Sequence, residues 1–110
     1  MAEYELVVYS RTRSCPYVRT AKRVFERENV EYREIFIDQD DIARDRVVEW
    51  TGFQSVPTLI VARPGEDLPY EDPTPLEPGS SPKGIDRGSM ITEPGEIRLE
   101  NWLRKHGFIT

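Results

Sequence analysis

Hydrophobic positions along the first sixty residues alternate between two periods. Residues 4–9 contain the unbroken run Leu6-Val7-Val8-Tyr9, rich in β-branched side chains, which predicts a strand buried on both faces and therefore central in its sheet. Val18, Ala21, Val24 and Phe25 then recur at helical spacing as far as Glu28, with charged residues between them, and Asn29 is the stop. Residues 31–37 alternate and turn apolar at Ile35-Phe36-Ile37, a second strand that a right-handed crossover places parallel to the first. Together these form a βαβ unit. Asp40 or Asp41 can cap a second helix, whose Ala43, Val47 and Trp50 lie at i, i+4 and i+7 and which ends at Thr51-Gly52. Residues 58–61 predict a third strand, entered through Pro57, where a missing N–H breaks no ladder and a cis Val56–Pro57 bond is possible.

Beyond residue 62 the periodicity stops. Residues 63–82 hold six of the nine prolines together with Gly65, Gly79, Ser80 and Ser81, with the acidic pairs Glu66-Asp67 and Glu71-Asp72 and few large apolar groups. Such a stretch predicts an extended, flexible loop at 63–83. A short fourth strand at 87–91 and a last helix from Pro94 to about Lys105 complete the pattern, with Ile97, Leu99, Trp102 and Leu103 as its buried side and Gly107 following it. The length of 110 residues fits one domain, 1–110, with a single core.

The net charge of −5 argues against nucleic acid or an anionic membrane as partner, since both reward a basic surface. Against that acidic background Arg11, Arg13, Arg19, Lys22, Arg23 and Arg27 gather around one short region. They read either as a positive field suited to an anionic ligand or as an ordinary solvated helix face. The start has no basic n-region and no long apolar run, so neither a signal peptide nor a membrane span is expected. No spacing of His, Cys or carboxylates suits a metal site made by one chain, and a Gly-rich phosphate loop is missing. His106, the only histidine, falls in the last turn of the last helix, where a surface position compatible with the dipole is expected.

Candidate chemistry starts at Cys15, the only cysteine. It excludes an intrachain disulfide and fits a reducing cytosol, so a cytoplasmic location is expected. Pro16 suits the first helical position, where its missing N–H would have had no partner, and this makes Cys15 the N-cap. A thiol placed there faces unpaired backbone N–H groups and the positive end of the helix dipole, with Arg11 and Arg13 just upstream. Such surroundings favour a nucleophilic thiolate; the alternative is a small buried hydrophobe.

The segments Val7-Val8-Tyr9-Ser10, Cys15-Pro16-Tyr17-Val18 and Thr51-Gly52-Phe53-Gln54-Ser55-Val56-Pro57-Thr58 together resemble the glutaredoxin family of the thioredoxin-like fold, in order and in separation. The resemblance covers residues 4 to about 61. It implies an α/β three-layer fold, a four-stranded mixed sheet flanked by about three helices, with Cys15 as nucleophile beside a cis Pro57. Glutathione would lie between them as co-substrate, its cysteinyl backbone pairing with Val56 like an added strand. On this basis the ligand contacts fall on Arg11, Arg13, Tyr17, Gln54, Ser55, Val56, Pro57 and Asp86. A long side chain at Arg11 can reach across the groove toward Gln54, which makes it the first choice for a ligand carboxylate, with Arg13 acting mainly on the thiolate.

Three departures from the family pattern stand out. Val18 occupies the position where dithiol members carry a second cysteine, which implies a monothiol mechanism. One extra residue separates Tyr9 from Cys15, leaving both Arg11 and Arg13 open as the site's cation. The Gly-Gly-x-Asp element has only partial matches, at Gly84-Ile85-Asp86 and Gly88-Ser89. The resulting expectation is a glutathione-dependent thiol–disulfide oxidoreductase acting on glutathionylated or disulfide-bearing proteins, with glutathione or a similar small thiol as reductant and no tightly bound cofactor. The alternatives are a glutathione-bridged [2Fe–2S] dimer, disfavoured by bulky Pro16 and Tyr17 after the cysteine, and a non-enzymatic redox sensor or adaptor.

Overall fold

A computed structural model describes residues 3–13 and 15–110. Met1 and Ala2, the first residues of the start read above, and Ser14, which precedes the cysteine, lie outside the described residues. The elements run β1 (Glu5–Ser10), α1 (Pro16–Arg27), β2 (Arg33–Phe36), α2 (Asp41–Thr51), β3 (Thr58–Ala62), β4 (Met90–Thr92) and α3 (Glu96–Lys105). The four strands form one mixed sheet in the order β2-β1-β3-β4. β1 pairs parallel with β2 and antiparallel with β3, which pairs antiparallel with β4. This is the three-layer architecture that the sequence implied.

The apolar run in β1 is explained by its position in the middle layer. Leu6 and Val8 face one core together with Ala21, Val24 and Phe25 of α1 and Leu99, Trp102 and Leu103 of α3. Val7 and Tyr9 face the other, with Ala43 and Val47 of α2, Ile60 of β3 and Met90 of β4. Period-two alternation thus feeds both faces, and each large apolar side chain so buried contributes roughly 1.5–3 kcal/mol.

Local signals set the helix ends. The Asp40 carboxylate accepts from the Ala43 N–H at 3.0 Å and caps α2. Gly52, at φ 83°, turns the chain out of that helix while its N–H donates to the Val48 carbonyl at 2.7 Å.

The second half departs from the pattern in detail. The fourth strand is Met90–Thr92 rather than 87–91, because the Arg87 N–H and carbonyl are committed to Met90 and Thr74. α3 begins at Glu96 with Gly95 as N-cap, two residues later than expected, after Glu93 has turned through φ 46°. Ile97 does not join the core but is 73% exposed. It precedes Leu99 by two positions, about 200° around the helix, so both cannot lie on the buried face. His106 is half-buried instead of lying on the surface, edge-on to Trp102, and its Nε2–H donates to the Gly88 carbonyl at 2.8 Å.

The proline-rich segment has no helix or named strand of its own, yet it is tied to the domain. The Tyr9 hydroxyl donates to the Asp67 carbonyl, and the Tyr70 N–H donates to the Val61 carbonyl at 2.9 Å. Arg87, only 6% exposed, donates from Nε to the Thr74 carbonyl at 2.7 Å and from Nη1 to the Trp50 carbonyl at 2.6 Å. One guanidinium thereby joins the segment to the end of α2. Among the described residues no helix is long and apolar enough to cross a membrane.

Candidate functional site

Cys15 is the N-cap of α1, in extended backbone at φ −141° and ψ 135°, with Pro16 opening the helix. Its carbonyl accepts from the Arg19 N–H at 2.9 Å, the first bond of the helix, and its side chain is partly exposed. Cys15 thus stands at the helix end whose N–H groups lack helical partners, although its side chain makes no capping hydrogen bond to them. Cys15 Sγ is 3.8 Å from the Val56 carbonyl oxygen. This brings the turn before α1 against the turn before β3, although 41 residues separate them in sequence.

Both turns are held from outside. Upstream of the thiol, the Thr12 N–H and hydroxyl donate to the Asp38 carboxylate beyond β2. That hydroxyl bond, followed by the Thr12 and Asp38 backbone N–H groups and the Arg11 charge, holds the Asp38 carboxyl below its ordinary range against the opposing effect of burial. On the other turn, the Val56–Pro57 bond is cis. The Thr58 hydroxyl donates to the Ser55 carbonyl at 2.9 Å and lies 3.1 Å from the Thr92 hydroxyl, while the Pro57 carbonyl accepts from the Glu93 N–H at 2.8 Å. Ser55, Val56 and Pro57 are all buried.

Arg11 spans the two turns, its Nη2 donating to the Gln54 carbonyl at 2.9 Å. Cys15, Arg11, Gln54, Ser55, Val56 and Pro57 are thus brought together at one end of the sheet, and Tyr17 is adjacent in the first turn of α1. Arg13 is exposed and makes no hydrogen bond or ion pair among the described residues.

Asp86 is placed elsewhere. Its carboxylate takes the Lys105 ammonium at 2.7 and 2.8 Å and the Gly88 N–H at 2.9 Å. Burial pushes that carboxyl up, but Lys105 and the Gly88 N–H together bring it below its ordinary range. Lys105 closes α3, whereas the chain just before α3 is what touches Pro57. A ten-residue helix, about 15 Å long, separates the two ends.

The bases farther along α1 do not form an open field around the thiol. Lys22 pairs with Glu34 at 3.1 Å and Arg23 with Glu96 at 3.5 Å, while Arg27 pairs with Glu96 at 3.0 Å and Glu100 at 2.6 Å. Exposed pairs of this kind hold helix faces together only weakly.

Two residues near the site carried no readable signal in the sequence. Lys83 places its ammonium 4.4 Å from the Tyr17 ring centroid. Glu93 is the residue whose N–H meets Pro57. Both depend on where the long segment and β4 return to the sheet, and neither belongs to a periodic pattern.

Residues 6–63 match the glutaredoxin family model, just over half of the chain, and the matched stretch holds the strand before Cys15, the cysteine turn and the cis-proline turn. The chain belongs to the glutaredoxin family. Among solved structures, a similar one is a buckwheat glutaredoxin in complex with glutathione, at 32% identity and a TM-score of 0.43, covering 51% of this chain and 53% of that one. The match therefore spans about half the length of that glutaredoxin. No curated protein matches.

Proposed function

We propose that this glutaredoxin-family protein is a glutathione-dependent thiol–disulfide oxidoreductase that works through Cys15 alone. The observation that carries this reading is the position of Cys15, at the start of α1 and 3.8 Å from the Val56 carbonyl beside cis Pro57. The Val56 N–H makes no hydrogen bond among the described residues, so it is free to pair with the backbone of a peptide-like ligand lying across the thiol.

In the forward step the Cys15 thiolate attacks the glutathione sulfur of a mixed disulfide. A new S–S bond joins Cys15 to glutathione, the old one breaks, and the substrate leaves as a thiolate that takes a proton from water. Val18 offers no second thiol to displace the adduct. A second glutathione thiolate therefore attacks the same glutathione sulfur, giving glutathione disulfide and restoring the Cys15 thiolate. In net terms one mixed disulfide and one free glutathione become the substrate thiol and one glutathione disulfide, with Cys15 regenerated.

Two measurements test the reading. Glutathione-coupled reduction of a mixed disulfide is expected from the wild type and to vanish in Cys15→Ser; activity surviving the substitution would overturn it. Mass spectrometry after excess glutathione disulfide is expected to show one glutathione adduct, and a Cys15–Cys15 dimer as main product would remove the central intermediate. Arg11 is the candidate carboxylate partner, since it already reaches the Gln54 carbonyl. Arg11→Ala is expected to raise the glutathione KM about tenfold, the size of a charge-assisted hydrogen bond, with a smaller change for Arg13→Ala.

A further inference from the structure

The end of the proline-rich segment is docked beside the site through its backbone. Lys83 bridges Thr92 in the parallel sense, and the Gly84 N–H donates to the Thr92 carbonyl at 2.6 Å. Thr92 pairs with Thr58, the residue after Pro57. Pro82 on one side and Gly84 on the other are buried, while the Lys83 side chain between them is exposed. Gly84 has φ 72°, a Cβ there would lie 3.4 Å from the Arg98 side chain, and Arg98 Nη1 donates to the Gly84 carbonyl at 2.9 Å. The chain path through residue 83 is therefore held from both sides.

From that anchor the Lys83 ammonium extends over Tyr17, 4.4 Å from the ring centroid, and Tyr17 stands two residues beyond Cys15. A cation resting on an aromatic face is oriented without having its charge neutralised. Among the described residues Lys83 makes no ion pair with a carboxylate, in contrast to Lys22, which pairs with Glu34 at 3.1 Å, and Lys105, which pairs with Asp86 at 2.7 Å. The Tyr17 hydroxyl first, and the Glu93 carboxylate after it, hold the ammonium above the ordinary lysine range against burial, so it stays charged.

We propose that Lys83 is a carboxylate-binding residue at the rim of the Cys15 site, selecting disulfide and thiol ligands that carry a carboxylate over neutral ones. The inference rests on Cys15 being the exchanging thiol. It gives the proline-rich segment a role as the arm that brings this cation to the reacting sulfur.

The test compares the rates at which Cys15 is alkylated by iodoacetate, which carries a carboxylate, and by neutral iodoacetamide. In the wild type, Lys83→Met and Lys83→Arg, the ratio of the two rates removes any change in intrinsic thiol reactivity. The ratio is expected to fall about two- to fivefold in Lys83→Met, the worth of an exposed charge pair, and to be kept in Lys83→Arg. The difference is expected to disappear in about 1 M salt, where the screening length is about 3 Å. An unchanged ratio in Lys83→Met, with the thermal midpoint unchanged, would overturn the proposal. Glutathione turnover measured on the same variants separates this from the functional reading. A fallen alkylation ratio without glutathione turnover in the wild type removes glutathione and supports the Lys83 role. Normal turnover with unchanged ratio and KM removes Lys83 and leaves glutathione in place.

Discussion

Residues 6–63 and residues 64–110 reach their places by different means. In the first stretch each element is bounded by signals a few positions away: Pro16 after the Cys15 cap, the Asp40 carboxylate on the Ala43 N–H, Gly52 closing α2. In the second, β4 has only three residues, and the chain around it is positioned by bonds that cross long intervals, from Arg87 to the Trp50 carbonyl and from the Trp102 indole to the Gly88 carbonyl at 2.9 Å. The difference teaches where function can vary. The thiol and the cis proline belong to the locally specified frame, whereas Lys83, over the Tyr17 ring, and the Glu93 backbone N–H, on the Pro57 carbonyl, come from the half that depends on the frame for its own placement.

The comparison breaks most visibly at Trp102. It is 1% exposed, packs from α3 into the core that includes Leu6, Val8 and Leu59, and is where the second half depends most on the first. Trp102→Ala is expected to cost about 3–5 kcal/mol, read from the urea midpoint at constant slope. A loss under about 1 kcal/mol would mean that the two halves are not energetically joined through α3.

A smaller effect is expected at Arg87. Arg87→Met keeps an apolar stem beside Met90 but leaves the Thr74 and Trp50 carbonyls without their donor, a cost of about 1.5–3 kcal/mol. Because those bonds hold the proline-rich segment, limited proteolysis between residues 63 and 83 is expected to accelerate more than cleavage elsewhere. Equal acceleration across the chain would show that the clamp has no local role.

The smallest effect concerns pH at His106. Burial lowers its basicity in the fold; Lys105 adds to that, while the Gly88 carbonyl, Asp86 and Glu71 act in the opposite direction. With the folded value below the unfolded value of about 6.5, the unfolded chain binds more protons as pH falls through that region. Stability is therefore expected to decline as pH drops below about 6.5 and to stop declining from this cause once the folded imidazole is itself protonated. Asp86, held below its ordinary range, contributes stability that is lost only at lower pH still, as the medium passes through its folded value. Denaturant melts of the wild type and His106→Gln across this interval test the first window, and parallel pH profiles for the two would exclude His106 as its source.

Much of the frame was legible from residue order. The β1 run, the α1 stripe of Val18, Ala21, Val24 and Phe25, the Asp40 cap and the Gly52 exit all express rules acting over one or two turns of chain, so pattern alone located them. The pairing of the Cys15 turn with the Val56-Pro57 turn was reached through family resemblance, and the cis bond was only one option of two. Tertiary structure decided the rest. It sent Ile97 into solvent and Leu99 into the core, since only contact with β1 and β3 selects which face of α3 is buried. It gave Asp86 to Lys105 at the far end of α3, and it brought Lys83 at the end of the proline-rich segment to the Tyr17 ring. Residues this far apart in sequence, 19 positions for Asp86 and Lys105, meet only after the sheet has assembled, and no local period records that meeting.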